Sequence, residues 1–253
     1  SAGTYASWNW KANGSGSSNE DGSITTTVSA NTTAGFSIIK YTANNTVGDT
    51  IGHGLAEIPE LLIFKNLDRA FGSSTIANWS TFSNVLASDY SEVVALNETG
   101  AASSYSALND TAPTASIITL GSNDGTNYGS DDYICYAFHS VEGYSKVGGF
   151  VGNYNVDGTF IYLGFRPAWF MWKRAIGSGG DDGGWAMMDN KRSAYNVVES
   201  NLYANDSGAE ETKNDIDFVS NGVKMRNTAM QGTSTTYLYL AFAKSPFKYA
   251  NAR

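Results

Sequence analysis

Two phrases written about a hundred residues apart constrain this chain more than any composition value. "YICYAFHSVEGY" (Tyr133 to Tyr144) returns near the end as "YLYLAFAKSPFKY" (Tyr237 to Tyr249). The recurrence extends backwards. "PELLIFK" (Pro59 to Lys65) falls on "PAWFMWK" (Pro167 to Lys173), each a proline, five mostly apolar residues and a lysine. "NWSTFSN" (Asn78 to Asn84) falls on "GWAMMDN" (Gly184 to Asn190). Trp79 to Leu96 and Trp185 to Leu202 both span 17 residues, while Lys65 to Phe138 spans 73 and Lys173 to Phe242 spans 69. Coincident hydrophobic strands would not reproduce these spacings, so a unit is duplicated. A period near a hundred is too long for a solenoid repeat and suits two tandem sandwich-like units.

The landmarks are short runs rich in β-branched and aromatic residues, such as "GFSIIKYT", "LLIFKN", "TFIYLGF" and "YLYLAFA". Clusters of Gly, Asn, Asp and Ser separate them, and these residues supply the conformations that tight turns demand. "SNG" at 220 to 222 reads as a hairpin turn between "IDFV" and "VKMR". No stretch holds a helical period over a dozen residues. The best helical candidate, Lys191 to Tyr203, reads equally as a long loop. "GSGGDDGG" (Gly177 to Gly184) reads as a flexible loop tip. The expected fold is therefore all-β: two related β-sandwich, jelly-roll-like modules in tandem, with long loops. The expected divisions are an extended N-terminal segment over 1–34, a first repeat over 35–146 and a second over 147–253. After Trp10 the N-terminal segment is poor in apolar residues, so it either leaves the sandwich or packs only through Trp8, Trp10, Ile24 and Val28.

Charge narrows the partners. A net charge of −8 with no basic stripe repels nucleic acid and anionic membrane surfaces. No apolar run approaches the ~18 residues that span a bilayer, so no membrane insertion is expected. The sequence starts without Met and without a signal-peptide pattern, which fits a fragment or a processed product. One cysteine, Cys135, excludes an internal disulfide or a thiolate cluster.

Reactive chemistry is sparse. His53 sits in a Gly-flanked turn, and Cys135 and His139 lie four apart on an expected strand. A cysteine inside "YICYAF" reads better as a small buried hydrophobe than as a nucleophile. No HExxH, CxxC, GxSxG or phosphate-loop pattern occurs. Asp89, Asp110, Asp189 and Glu210 could supply the paired carboxylates of a glycosidase, but a chain with 24 acids offers such pairs by composition. "NDGTNYGSDD" (Asn123 to Asp132) offers oxygen ligands for calcium without the spacing of an EF-hand, and reads better as a solvated acidic turn. The Asn-x-Ser/Thr sites at Asn78 and Asn97 follow from composition. The expectation is no catalytic residue, no metal and no cofactor. What remains is aromatic. Trp79 and Trp185 hold equivalent repeat positions, which favours a core role; the sharper reading is a platform for sugar rings. On that reading Trp185, Asp189, Arg192, Tyr195 and Tyr203 form the candidate ligand-binding set.

These segments, with "WNWKANGSGSSNEDGSITTTVSANTTAGFSIIKYT", "GHGLAEIPELLIFKN", "NDTAPTASIITLGSN", "SAYNVV" and the terminal "YLYLAFAKSPFKYANAR", resemble a family of tail-fibre and other tail structural proteins of tailed bacteriophages, common among marine phages. The resemblance spans nearly the whole chain. It implies an extracellular virion location on the tail or a surface fibre. It implies partners among other tail proteins, a bacterial surface glycan or protein as receptor, and a homotrimer by analogy with fibres. It brings no catalytic residues. The alternatives are a purely structural virion subunit (collar, decoration or fibre assembly) and, less favoured, a polysaccharide depolymerase.

Overall fold

In the computed structural model the chain is all-β, and residues 5–69, 78–177, 183–228 and 232–245 are described. Among them eighteen strands form antiparallel ladders and no helix occurs. In chain order the first half carries β1 (Ser17–Asn19), β2 (Thr26–Asn31), β3 (Phe36–Thr42), β4 (Thr50–Gly52), β5 (Leu61–Asn66), β6 (Ser80–Ser83), β7 (Glu92–Ala95), β8 (Ser103–Ser104), β9 (Ile117–Thr119) and β10 (Asp132–Phe138). The second half carries β11 (Ser145–Val151), β12 (Phe160–Tyr162), β13 (Pro167–Ile176), β14 (Ala186–Asp189), β15 (Val198–Tyr203), β16 (Glu211–Val219), β17 (Gly222–Met225) and β18 (Thr236–Ala243).

Strand order repeats. One sheet runs β1-β2-β3-β10-β5-β6-β7-β8 and the other β11-β18-β13-β14-β15-β16-β17-β12. The core β3-β10-β5-β6-β7 thus matches β11-β18-β13-β14-β15. The separate pair β4-β9 matches β12-β17: Ile51 faces Ile118 in one, Ile161 faces Val223 in the other.

The two sheets meet face to face, and this explains the unbroken apolar runs. Strand side chains alternate between faces, so a strand with one wet face reads as alternating polar and apolar. Here both faces are dry. Leu61 and Ile63 of β5 point into a shared seam with Trp169 and Met171 of β13, joined by Phe138, Leu238 and Leu240. Leu62 and Phe64 point the other way, into a core closed by Ile51 and Ile118. Phe170 and Trp172 likewise enter an outer core closed by Ile161, Phe218 and Val223. Each such side chain contributes about 1.5–3 kcal/mol by leaving water.

Direct bonds cross the seam. Trp185 Nε1 donates to the Ala95 carbonyl at 2.8 Å, and Ala102 N donates to the Ala175 carbonyl at 2.8 Å. Lys173, fully buried, donates through Nζ to the Thr99 carbonyl at 2.8 Å and to the Gly183 carbonyl. The repeated tryptophans are tied alike: Trp79 N donates to Asn97 Oδ1 at 2.8 Å, and Trp185 N to Asn205 Oδ1 at 2.6 Å.

Two expectations are corrected. The N-terminal segment does not leave the sandwich: β2 pairs with β3 and β1 with β2, extending the first sheet, while Trp8, Trp10, Ile24 and Val28 pack into the cores. Of the two readings of 191–203 the helix does not form; a turn is followed by β15. Asp189 organises that turn by accepting from the Lys191 and Arg192 backbone N–H groups, both at 2.9 Å, an alternative that competes with a helix. Cys135 and His139 share no strand, since β10 ends at Phe138. The hairpin at 220 to 222 does form: Val219 pairs with Gly222 across a two-residue loop. The loop-tip reading of "GSGGDDGG" falls largely on 178–182, and the final "FKYANAR" begins at 247; both lie outside the described residues.

Candidate functional site

An N-terminal strap forms one wall of an open groove. Residues 5–13 belong to no strand, yet contacts from Trp8 through Asn13 tie the segment to the sheets. Asn13 N donates to Ser29 Oγ at 2.9 Å, and Asn31 Nδ2 donates to the Lys11 carbonyl at 3.0 Å. Trp10 packs edge-on against Trp169 at 5.5 Å and beside Phe242 at 5.7 Å. Trp8 donates from Nε1 to Asp189 Oδ2 at 3.3 Å.

Between this strap and the second sheet lies a groove of about 990 Å³. Its floor and sides come from Tyr5 to Trp8, the start of β13, the turn after β14, Leu202, and the loop from Ser207 to Glu210. Arg192 is its organiser. Nε donates to Asp189 Oδ2 at 2.6 Å, one terminal nitrogen to Glu210 Oε2 at 2.6 Å, and the other to the Met187 carbonyl at 3.1 Å. The guanidinium lies 5.3 Å from the Trp8 ring. Burial would raise the Asp189 pKa; hydrogen bonds from the Arg192 backbone and guanidinium and from Lys191 N prevail and hold it below the usual carboxylate range.

The expected ligand set divides. Asp189 and Arg192 line the groove together. Trp185 does not: it is 1% exposed, sits in the seam and spends its N–H on Ala95, so its faces are closed to a sugar. Tyr203 packs against the second outer core, with its ring over Gly184. Tyr195 is 85% exposed and stands outside the groove lining. Trp8, Trp169 and Asn190 were not anticipated as site residues, and Glu210 was marked only as one acid among many. The available signal was Trp8, one of three aromatics between Tyr5 and Trp10 that precede a polar stretch.

Cys135 and His53 are buried. Burial pushes the Cys135 thiol well up, which keeps it protonated and inert. His53 is buried, with Nε2 3.1 Å from the Thr114 carbonyl and Nδ1 accepting from Leu55 N at 3.2 Å, and burial lowers its pKa. The acids of 123–132 bind protein groups: Asp131 holds Arg69 and Asn66, Asp132 holds Thr42 and Lys40, and Asp124 accepts from Tyr105. Among the described residues no group of three or more His, Cys, Asp or Glu is placed to hold a metal. Asn97 Nδ2 donates to Asn78 Oδ1 at 3.0 Å.

A family model described as a domain of unknown function, DUF7483, matches residues 1–246. The chain belongs to the DUF7483 family. No curated protein and no solved structure matches it. In this DUF7483 member the match takes in both halves and the strap, so the groove lies wholly within the family's domain.

Proposed function

We propose that this chain is a non-enzymatic recognition domain of a bacteriophage tail fibre, exposed on the virion, which holds a bacterial surface receptor, a glycan before a protein, in the strap groove. The observation that carries the reading is the Trp8–Arg192–Asp189–Glu210 arrangement on the rim of an open groove. Aromatic faces beside planar, hydrogen-bonding polar groups suit a ligand with one apolar face and a girdle of hydroxyls. The sequence resemblance to tail proteins supports the virion setting. Asp189 is held ionised and so is not placed to act as a proton donor, which counts against an acid role for that residue.

Adsorption tests this reading. The purified chain should bind host cells saturably and slow adsorption of the parent phage. Arg192→Ala should weaken both effects several-fold, and trimeric display would multiply weak single sites. Absence of saturable binding overturns the reading. New reducing ends on incubation with host polysaccharide would install the depolymerase in its place.

One observation favours a second reading, a purely structural virion subunit. Phe160 and Tyr162 project from the edge strand β12, Val151 is exposed at the end of β11, and Tyr154 and Val156 are exposed on the connection between the two strands. Thr159 Oγ1 donates to the Val151 carbonyl at 2.7 Å, holding the two ends of that stretch together. Exposed apolar groups on a sheet edge invite pairing between subunits. Sedimentation of the chain and of Tyr162→Lys distinguishes assembly through this edge from a monomer.

A further inference from the structure

We infer that the groove selects an uncharged saccharide and rejects uronate-, sialate- or phosphate-bearing ones. This inference rests on the recognition reading above and adds the charge class of the ligand. Lys191 and Arg192 face Asp189 and Glu210 around the groove, two cations against two carboxylates, so its formal charge is zero. Arg192, the natural anion receptor among them, is largely committed: each of its three nitrogens donates to a protein oxygen, which uses three of its five N–H groups, and Trp8 lies beside its plane. Asp189 and Glu210 already offset its charge, so a ligand carboxylate joining them gains no net ion pair and meets two like charges. Lys191 is an exposed, solvated cation, which binds anions weakly. The net charge of −8 adds a repulsive field against any polyanion.

The groups that remain suit hydroxyls. Glu210 is exposed and bonds Arg192 through Oε2, which leaves Oε1 to accept from a ligand O–H. Asn190, in the lining, supplies both a donor and an acceptor. Leu202 and Trp8 offer apolar surface for the C–H face of a pyranose.

The test is a glycan array probed with the intact chain, followed by titration calorimetry at low and high salt on the glycans retained. Neutral hexose and N-acetylhexosamine glycans should dominate. Their affinity should change less than twofold between 50 and 500 mM salt, on the order expected when no ion pair forms. Glu210→Ala and Asn190→Ala, both solvent-accessible changes that leave the seam intact, should each weaken binding about five- to tenfold. Retention mainly of acidic glycans, with affinity falling steeply in salt, overturns the charge inference while leaving glycan recognition standing. No retained glycan at all, or retention unaffected by both variants, overturns the inference together with the groove reading.

Discussion

Trp185 Nε1 and the Ala95 carbonyl, 90 residues apart in the chain, form a 2.8 Å hydrogen bond inside the seam between the two sheets. A residue that sequence alone offers as a sugar platform is thus a fastener between halves. Trp185→Phe removes the donor, leaves the Ala95 carbonyl only the longer bond from Glu98 N at 3.3 Å, and opens a small cavity. The expected cost is about 2–4 kcal/mol, read as a lower urea midpoint with an unchanged m-value. Ligand affinity at the groove should be unaltered.

Lys173 makes a second tie. Its ammonium reaches the carbonyls of Thr99 and Gly183 from a fully buried position. Lys173→Met keeps most of the volume but withdraws the donor from both carbonyls. A loss of about 2–4 kcal/mol is expected in chemical denaturation, against less than about 1 kcal/mol for Lys146→Met, whose lysine lies on the outer edge strand.

Two buried groups bend the pH profile in opposite senses. Burial pushes the Asp215 carboxyl up to about 6 against the relief given by Asn227 and Lys213; one of its oxygens has no donor. The folded chain therefore holds a proton there that the unfolded chain has released, so Asp215 disfavours folding progressively as pH rises from about 4 to 6. The full effect is on the order of 3 kcal/mol. His53 acts oppositely. Its lowered pKa means that the unfolded chain takes up the proton first, and stability falls as pH drops below about 6.5. Asp215→Asn should raise stability at pH 7 by about 1–3 kcal/mol and leave a profile that climbs from pH 5 to 6.5. Melting temperatures across that range check both signs.

Gly222 opens β17 where no side chain fits. A β-carbon there would stand 2.1 Å from the Ile161 carbonyl oxygen, the backbone of the neighbouring strand. Gly222→Ala must push β12 outward and should cost about 2–3 kcal/mol. Hydrogen exchange should show the loss of protection concentrated in β12 and β17.

The fold was legible wherever chemistry is local. The hairpin at Ser220 and Asn221 announced itself through turn residues, and the β13 and β18 strands through aromatic and branched side chains. The equal spacing of Trp79 to Leu96 and Trp185 to Leu202 reflects two strand orders that coincide. What stayed hidden was non-local. Nothing near Trp8 says that its indole will meet Asp189, 181 residues away. Nothing in "TTTVSAN" separates a strand from a polar linker, because only pairing with β1 and β3 supplies its partners. Asp189 and Arg192 were found because one short turn positions both; Tyr195 and Tyr203 are close in sequence, but the chain leaves the groove after Arg192 and only Leu202 returns to it.

The alternation of β5 and β13 between two dry compartments has an evolutionary consequence. A single inserted residue in either strand would exchange the contents of both compartments at once, and no compensating change nearby could restore them. Variation is thereby channelled into the connections, where the strap, the turn after β14 and the loop to Glu210 lie. A lineage built on this scaffold can revise its surface loops quickly while its interior stands almost still.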